Sequence, residues 1–117
     1  MKKFVVTFIG SASALERAEW KKDALKQRAL EEAGMEAWGK WVKDNEKSIA
    51  DPGSALGKTK RVSADGISDT RNNIAAYVIV QAESHEAAAK MFESHPHFAI
   101  FPGDCVEVME CLPLPQR

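Results

Sequence analysis

The chain opens on a run of β-formers, Phe4-Val5-Val6-Thr7-Phe8-Ile9. In it Phe4, Val6 and Phe8 take one face of a strand and Val5, Thr7 and Ile9 the other. Both faces are largely apolar, so both are expected to be covered. Gly10 breaks the strand, and Ser13-Ala14-Leu15-Glu16 has the spacing of a capping box. Leu15, Ala18, Leu25, Ala29, Ala33, Ala37 and Trp41 then recur at helical spacing, with Lys21, Lys22, Lys26, Arg28, Glu31 and Glu32 on the outer positions. The pattern predicts helix to about Asn45. Gly34 marks a bend, or a break between two helices, because glycine disfavours a helix interior by about 1 kcal/mol.

Ala50-Asp51-Pro52-Gly53-Ser54 has the composition of a turn. Residues 58–64 alternate weakly and are mostly polar, which predicts an edge strand. Asp65-Gly66 and residues 69–73 read as polar loop. Ile74 to Ala82 is the clearest strand, carried by Tyr77-Val78-Ile79-Val80. Ser84 caps a helix that buries Ala87, Ala88, Met91 and Phe92, and His95-Pro96-His97 ends it. Pro102-Gly103-Asp104 turns the chain into a last strand, Cys105 to Leu112.

The order strand, helix, strand, strand, helix, strand predicts an α+β ferredoxin-like domain over residues 1–117. Both helices would lie on one face of a four-stranded antiparallel sheet. The first and third strands are apolar on both faces, yet the chain has no element left for the second face. A second copy, packed sheet against sheet as a homodimer, is the economical cover.

Composition narrows the function. The 117 residues are 44% hydrophobic and 28% charged, with 16 basic against 17 acidic side chains and a net charge of -1. That balance excludes the basic footprint of a nucleic-acid binder. No stretch approaches the length of a membrane span. Lys2-Lys3, the apolar run and Ala12-Ser13-Ala14 imitate a signal peptide, but the run is short and reads better as a strand. Cys105 and Cys111 would lie on one strand face about 20 Å apart, too far to bridge each other. Without a cysteine framework a cytoplasmic setting is expected.

Few residues suggest chemistry. His95 and His97 flank Pro96, and two imidazoles can act as acid and base. A metal site needs a third ligand at matching spacing, and none is present, so no metal or other cofactor is expected. Trp38 and Trp41 share a helix face and could wall an apolar pocket for a small aromatic ligand. Asp51, Arg61 and Tyr77 complete the candidate ligand pocket. Asp51 would serve as a base if buried and otherwise as a turn former. Neither cysteine has a basic neighbour in sequence that would activate it.

Asp65-Gly66, Ala76-Tyr77-Val78-Ile79-Val80, Ser84, Ala87-Ala88, Pro96 and Val106-Glu107-Val108 resemble the YCII-related family, in particular its DGPF branch. Met35 to Trp41 and Asp51-Pro52-Gly53 match that branch loosely. The resemblance covers roughly residues 35–112 and implies a dimeric α-β barrel of ferredoxin-like subunits. It implies little about function. Many members are uncharacterised, and some act in the breakdown of chlorinated aromatics. The histidine suspected in the YCII branch has no counterpart here, because no His stands between Met1 and Ser84. Ile67 and Ser68 stand where the DGPF motif has Pro and Phe.

Three readings follow: a small-ligand-binding dimer, a cofactor-free enzyme on small aromatic or quinone-like substrates, or a structural dimer. A pocket with a titrating imidazole would favour the enzyme, a purely apolar pocket the binder, and a filled interior the structural protein.

Overall fold

The computed structural model describes residues 1–11 and 23–115. The elements in chain order are β1 (Lys2–Ile9), α1 (Ala24–Asp44), a 3-10 turn (Glu46–Ser48), β2 (Ile49–Ala55), β3 (Thr59–Ser63), β4 (Gly66–Thr70), β5 (Ile74–Ala82), α2 (His85–Lys90), α3 (Pro96–Ala99) and β6 (Cys105–Glu110). Four strands form an antiparallel sheet in the order β2-β5-β1-β6. The helices pack on one face of it. This is the ferredoxin-like α+β arrangement, with β3 and β4 added as a separate hairpin.

Alternation along β1 decides which face holds the core. Phe4, Val6 and Phe8 are buried, as are Val78, Val80 and Ala82 of the neighbouring β5. Ala88 of α2 and Phe92 just beyond it close the cluster from the helical side. Each buried Val or Phe contributes about 1.5–3 kcal/mol relative to exposure. Val5, Thr7, Ile9, Tyr77 and Ile79 lie on the opposite face and are half-buried.

Two expectations are corrected. The second strand of the sheet is not residues 58–64 but Ile49–Ala55, the segment read as a turn. It pairs with β5 through two register irregularities, as an edge strand that tolerates Pro52. Gly53 has φ +67°, and a Cβ there would collide with the Tyr77 carbonyl, so glycine lets β2 lie close on β5. The Asp51 carboxylate accepts from the Gly53 N–H (2.8 Å), a local turn bond built into the strand. Residues 59–63 instead pair with 66–70, part of the stretch read as loop. The Val62–Ile67 pair of this hairpin stays exposed, at 74% and 73%.

The second correction concerns the long helical pattern. Asp23 is extended (φ -126°) and its side chain accepts from the Leu25 and Lys26 N–H groups, so α1 begins there. The Ser13 capping box and Trp20 lie outside the described residues. Gly34 does not end α1: it sits within the helix and is buried, because the Phe101 ring rests where a Cβ would be.

The turn after α2 also departs from a simple helix stop. Ser94 adopts left-handed backbone (φ 57°) and reverses the chain. His95 then becomes the N-cap of α3, with Pro96 in its first turn. Cys105 and Cys111 are both free and exposed.

Candidate functional site

The backbone of α1 approaches α3 but stands off from the sheet, and two indoles reach across the gap. Trp41 donates its Nε1–H to the Met91 carbonyl at the end of α2 (2.8 Å) and packs on Phe92. Trp38 packs on Phe8 of β1, with ring centroids 5.0 Å apart. The space left between α1 and the β2-β5 half of the sheet is a cavity of about 560 Å³. Met35, Trp38, Trp41 and Val42 line it from α1, Ile49 and Ser54 from β2, Ala76 and Val78 from β5, and His97 and Phe101 from the region of α3.

His95 lies behind this wall and does not line the cavity. Its imidazole is 0% exposed among the rings of Phe8, Trp38, Trp41 and Phe92, the Trp38 ring being nearest at 4.5 Å between centroids. Nδ1 accepts from the His97 N–H (3.0 Å), so in the neutral ring the proton is on Nε2. That Nε2 is a buried side-chain nitrogen with no hydrogen-bond partner. Burial first, and then the charge of the neighbouring His97, push the His95 pKa from the ordinary 6.5 down to about 4. His95 is therefore neutral at pH 7.

His97 is placed differently. Its Nε2 lies 2.7 Å from the Ile9 carbonyl oxygen, which can only accept, so Nε2 carries the proton and donates. The side of the ring at Nε2 and Cε1 is pressed against Gly103, where a Cβ would collide with it. Among the described residues Nδ1 has no hydrogen-bond partner. A lone pair thus stays uncommitted on a residue that lines the cavity.

The residues expected from sequence divide. Trp38, Trp41, Tyr77 and His97 border one cavity. Strand alternation, however, puts the Tyr77 side chain on the face opposite Val78, so Tyr77 borders the cavity along its strand. Asp51 is occupied by Gly53 and is not among the lining residues. Arg61 is on the exposed β3–β4 hairpin and does not line the cavity either. Met35, Ser54, Ala76 and Phe101 were not anticipated. Phe101 had a faint signal in the apolar Ile100-Phe101 pair before Pro102; Ser54 had none.

Among the described residues no group of three or more His, Cys, Asp or Glu is placed to hold a metal ion. No described helix is long and apolar enough to cross a membrane. The Cys105 thiol is pushed up in pKa, first by desolvation and then by Glu107 and Asp104, which makes it a weak nucleophile.

Fold and site together define a ferredoxin-like α+β protein with an apolar cavity between its long helix and its sheet. Among solved structures the chain is similar to the 5-chloro-2-hydroxyhydroquinone dehydrochlorinase of Burkholderia phenoliruptrix AC1100, in complex with 2,5-dihydroxybenzoquinone. The two share 12% identity over 91% of this chain and 89% of that one, with a TM-score of 0.49. No family model and no curated protein matches the chain.

Proposed function

We propose that this protein binds a small, uncharged, largely apolar molecule in the cavity beneath α1, and that it does so as a homodimer paired through the open face of the sheet. The cavity carries the reading. Its volume of about 560 Å³ suits a small organic ligand, and among the described residues its lining includes no Asp, Glu, Lys or Arg. A charged ligand would lose its hydration there without gaining a partner. Trp38 and Trp41 offer flat surfaces for stacking. The dimer rests on the half-buried apolar positions Val5, Ile9, Tyr77 and Ile79, which no described helix covers.

The test is a titration of the purified protein with small neutral aromatics, followed by melting temperature and tryptophan emission. A bound ligand raises the melting temperature, since binding to the native state alone stabilises it. The variant Ala76→Phe, which fills the cavity from β5, loses the shift. A shift that survives in that variant places the site elsewhere.

One observation favours a second reading, a cofactor-free enzyme. His97 combines an uncommitted Nδ1 with an Nε2–H oriented by the Ile9 carbonyl, the arrangement of a positioned general base. In this reading His97 takes a proton from a substrate in the cavity, and His95 does not touch it. Loss of turnover in His97→Gln with binding retained separates this reading from simple binding.

A further inference from the structure

Among the described residues the polar side chains that border the cavity are those of Trp38, Trp41, Ser54, Tyr77 and His97, and Ser54 and Tyr77 are cross-strand partners on the opposite face of the sheet. His97 spends its only ring proton on the Ile9 carbonyl, leaving Nδ1 as an acceptor. Trp41 has spent its indole N–H on the Met91 carbonyl. The Trp38 indole N–H has no hydrogen-bond partner among the described residues. Among the described lining side chains the assigned acceptor is therefore His97 Nδ1, with the Trp38 N–H as a donor on the α1 side.

From this we infer that the ligand is a hydrogen-bond donor: a flat, uncharged molecule carrying one hydroxyl or N–H group, which it donates to Nδ1 of His97. The inference rests on the cavity being the binding site and goes further by fixing the polarity of the ligand. A hydroxyl satisfies more of the cavity than an N–H, because it can donate to His97 and still accept from Trp38. A molecule with carbonyl or ether oxygens only can meet the Trp38 N–H but would cover the His97 lone pair and strip it of water without replacing the bond. An unsatisfied buried acceptor of this kind lowers affinity about tenfold or more. The structure thus selects the hydroxylated over the carbonyl form of the same ring skeleton.

The decisive comparison uses pairs that differ by one methyl group: phenol against anisole, and indole against 1-methylindole. Calorimetric titration into the intact protein is expected to show each donor binding about tenfold tighter or better than its methylated twin. In His97→Phe, which keeps a ring and removes the acceptor, the gap within each pair closes. Should that variant fail to fold, nitrogen NMR of the wild-type imidazole gives the same answer. The Nδ1 resonance moves on adding phenol and stays in place on adding anisole. Equal affinity within both pairs overturns the donor inference while leaving the cavity as a binding site. Binding by none of the four, with Ala76→Phe melting as the wild type does in their presence, overturns the cavity reading and the inference with it. A donor preference that persists in His97→Phe overturns the assignment to His97.

Discussion

The backbone N–H of His97 donates to Nδ1 of His95, 3.0 Å away, and through that bond a sealed imidazole holds the residue that faces the cavity. The bond needs His95 neutral. A proton on its Nδ1 would remove the acceptor and set a positive charge among Phe8, Trp38, Trp41 and Phe92. The titratable neighbour of His95 is His97; the other rings packed on it come from β1, α1 and the turn after α2 and carry no charge.

This relationship sets a pH dependence. The folded-state pKa of His95 is about 4 against 6.5 for the ordinary group, so the unfolded chain takes up the proton first. The stabilising effect is complete above about pH 6.5 and is lost as pH falls toward about 4, amounting to about 3 kcal/mol at most. Urea unfolding between pH 7.5 and 4 should show the decline. His95→Asn keeps a capping acceptor without a titrating group and should flatten it. An undiminished slope in that variant would assign the effect to other groups.

Trp41→Phe should cost about 1–2 kcal/mol, because it leaves the Met91 carbonyl without its indole donor and removes packing on Phe92. Denaturant unfolding measures the loss. A neutral substitution would mean that the bond does not tie α1 to the end of α2.

Gly53 and Gly57 make a matched pair. Gly53→Ala strains a left-handed backbone and forces a Cβ onto the Tyr77 carbonyl, whereas a Cβ at Gly57 meets open space. The first should destabilise by more than about 2 kcal/mol and the second by no more than about 0.5 kcal/mol. Parallel melting curves decide it. Similar curves for both would remove the close approach of β2 and β5 as the reason for Gly53.

Ile79 lies mid-strand on the open face of the sheet, opposite Val5. Ile79→Glu is expected to yield a folded monomer and the unsubstituted protein a dimer, as read by sedimentation at micromolar concentration with circular dichroism as the folding control. A wild-type monomer would rule out the sheet-to-sheet pairing directly.

Much of the fold was legible because period-2 and period-3.6 patterns mark which residues leave water. Phe4, Val6 and Phe8 were assigned a common face from alternation alone, and that face holds the core. Ser84 was read as a cap from its residue type, and its hydroxyl accepts from the Ala87 N–H. β2 was misplaced because Asp51-Pro52-Gly53 spells a turn locally. Only contact with Tyr77 shows that a glycine backbone can carry that turn inside an edge strand.

The site divides along the same line. Trp38, Trp41 and His97 could be picked out as candidates, since chemical type and helical spacing are local properties. Their meeting around one cavity depends on α1, β1 and α3 coming together from distant parts of the chain. Sequence alone determined the faces of β1 and β5, the Ser84 cap and the near-balance of charge, because each follows from a residue and its near neighbours. Tertiary structure alone decided that His95 is sealed and His97 open. Two imidazoles two residues apart have the same chemistry until packing desolvates one and a distant carbonyl, that of Ile9, takes the proton of the other.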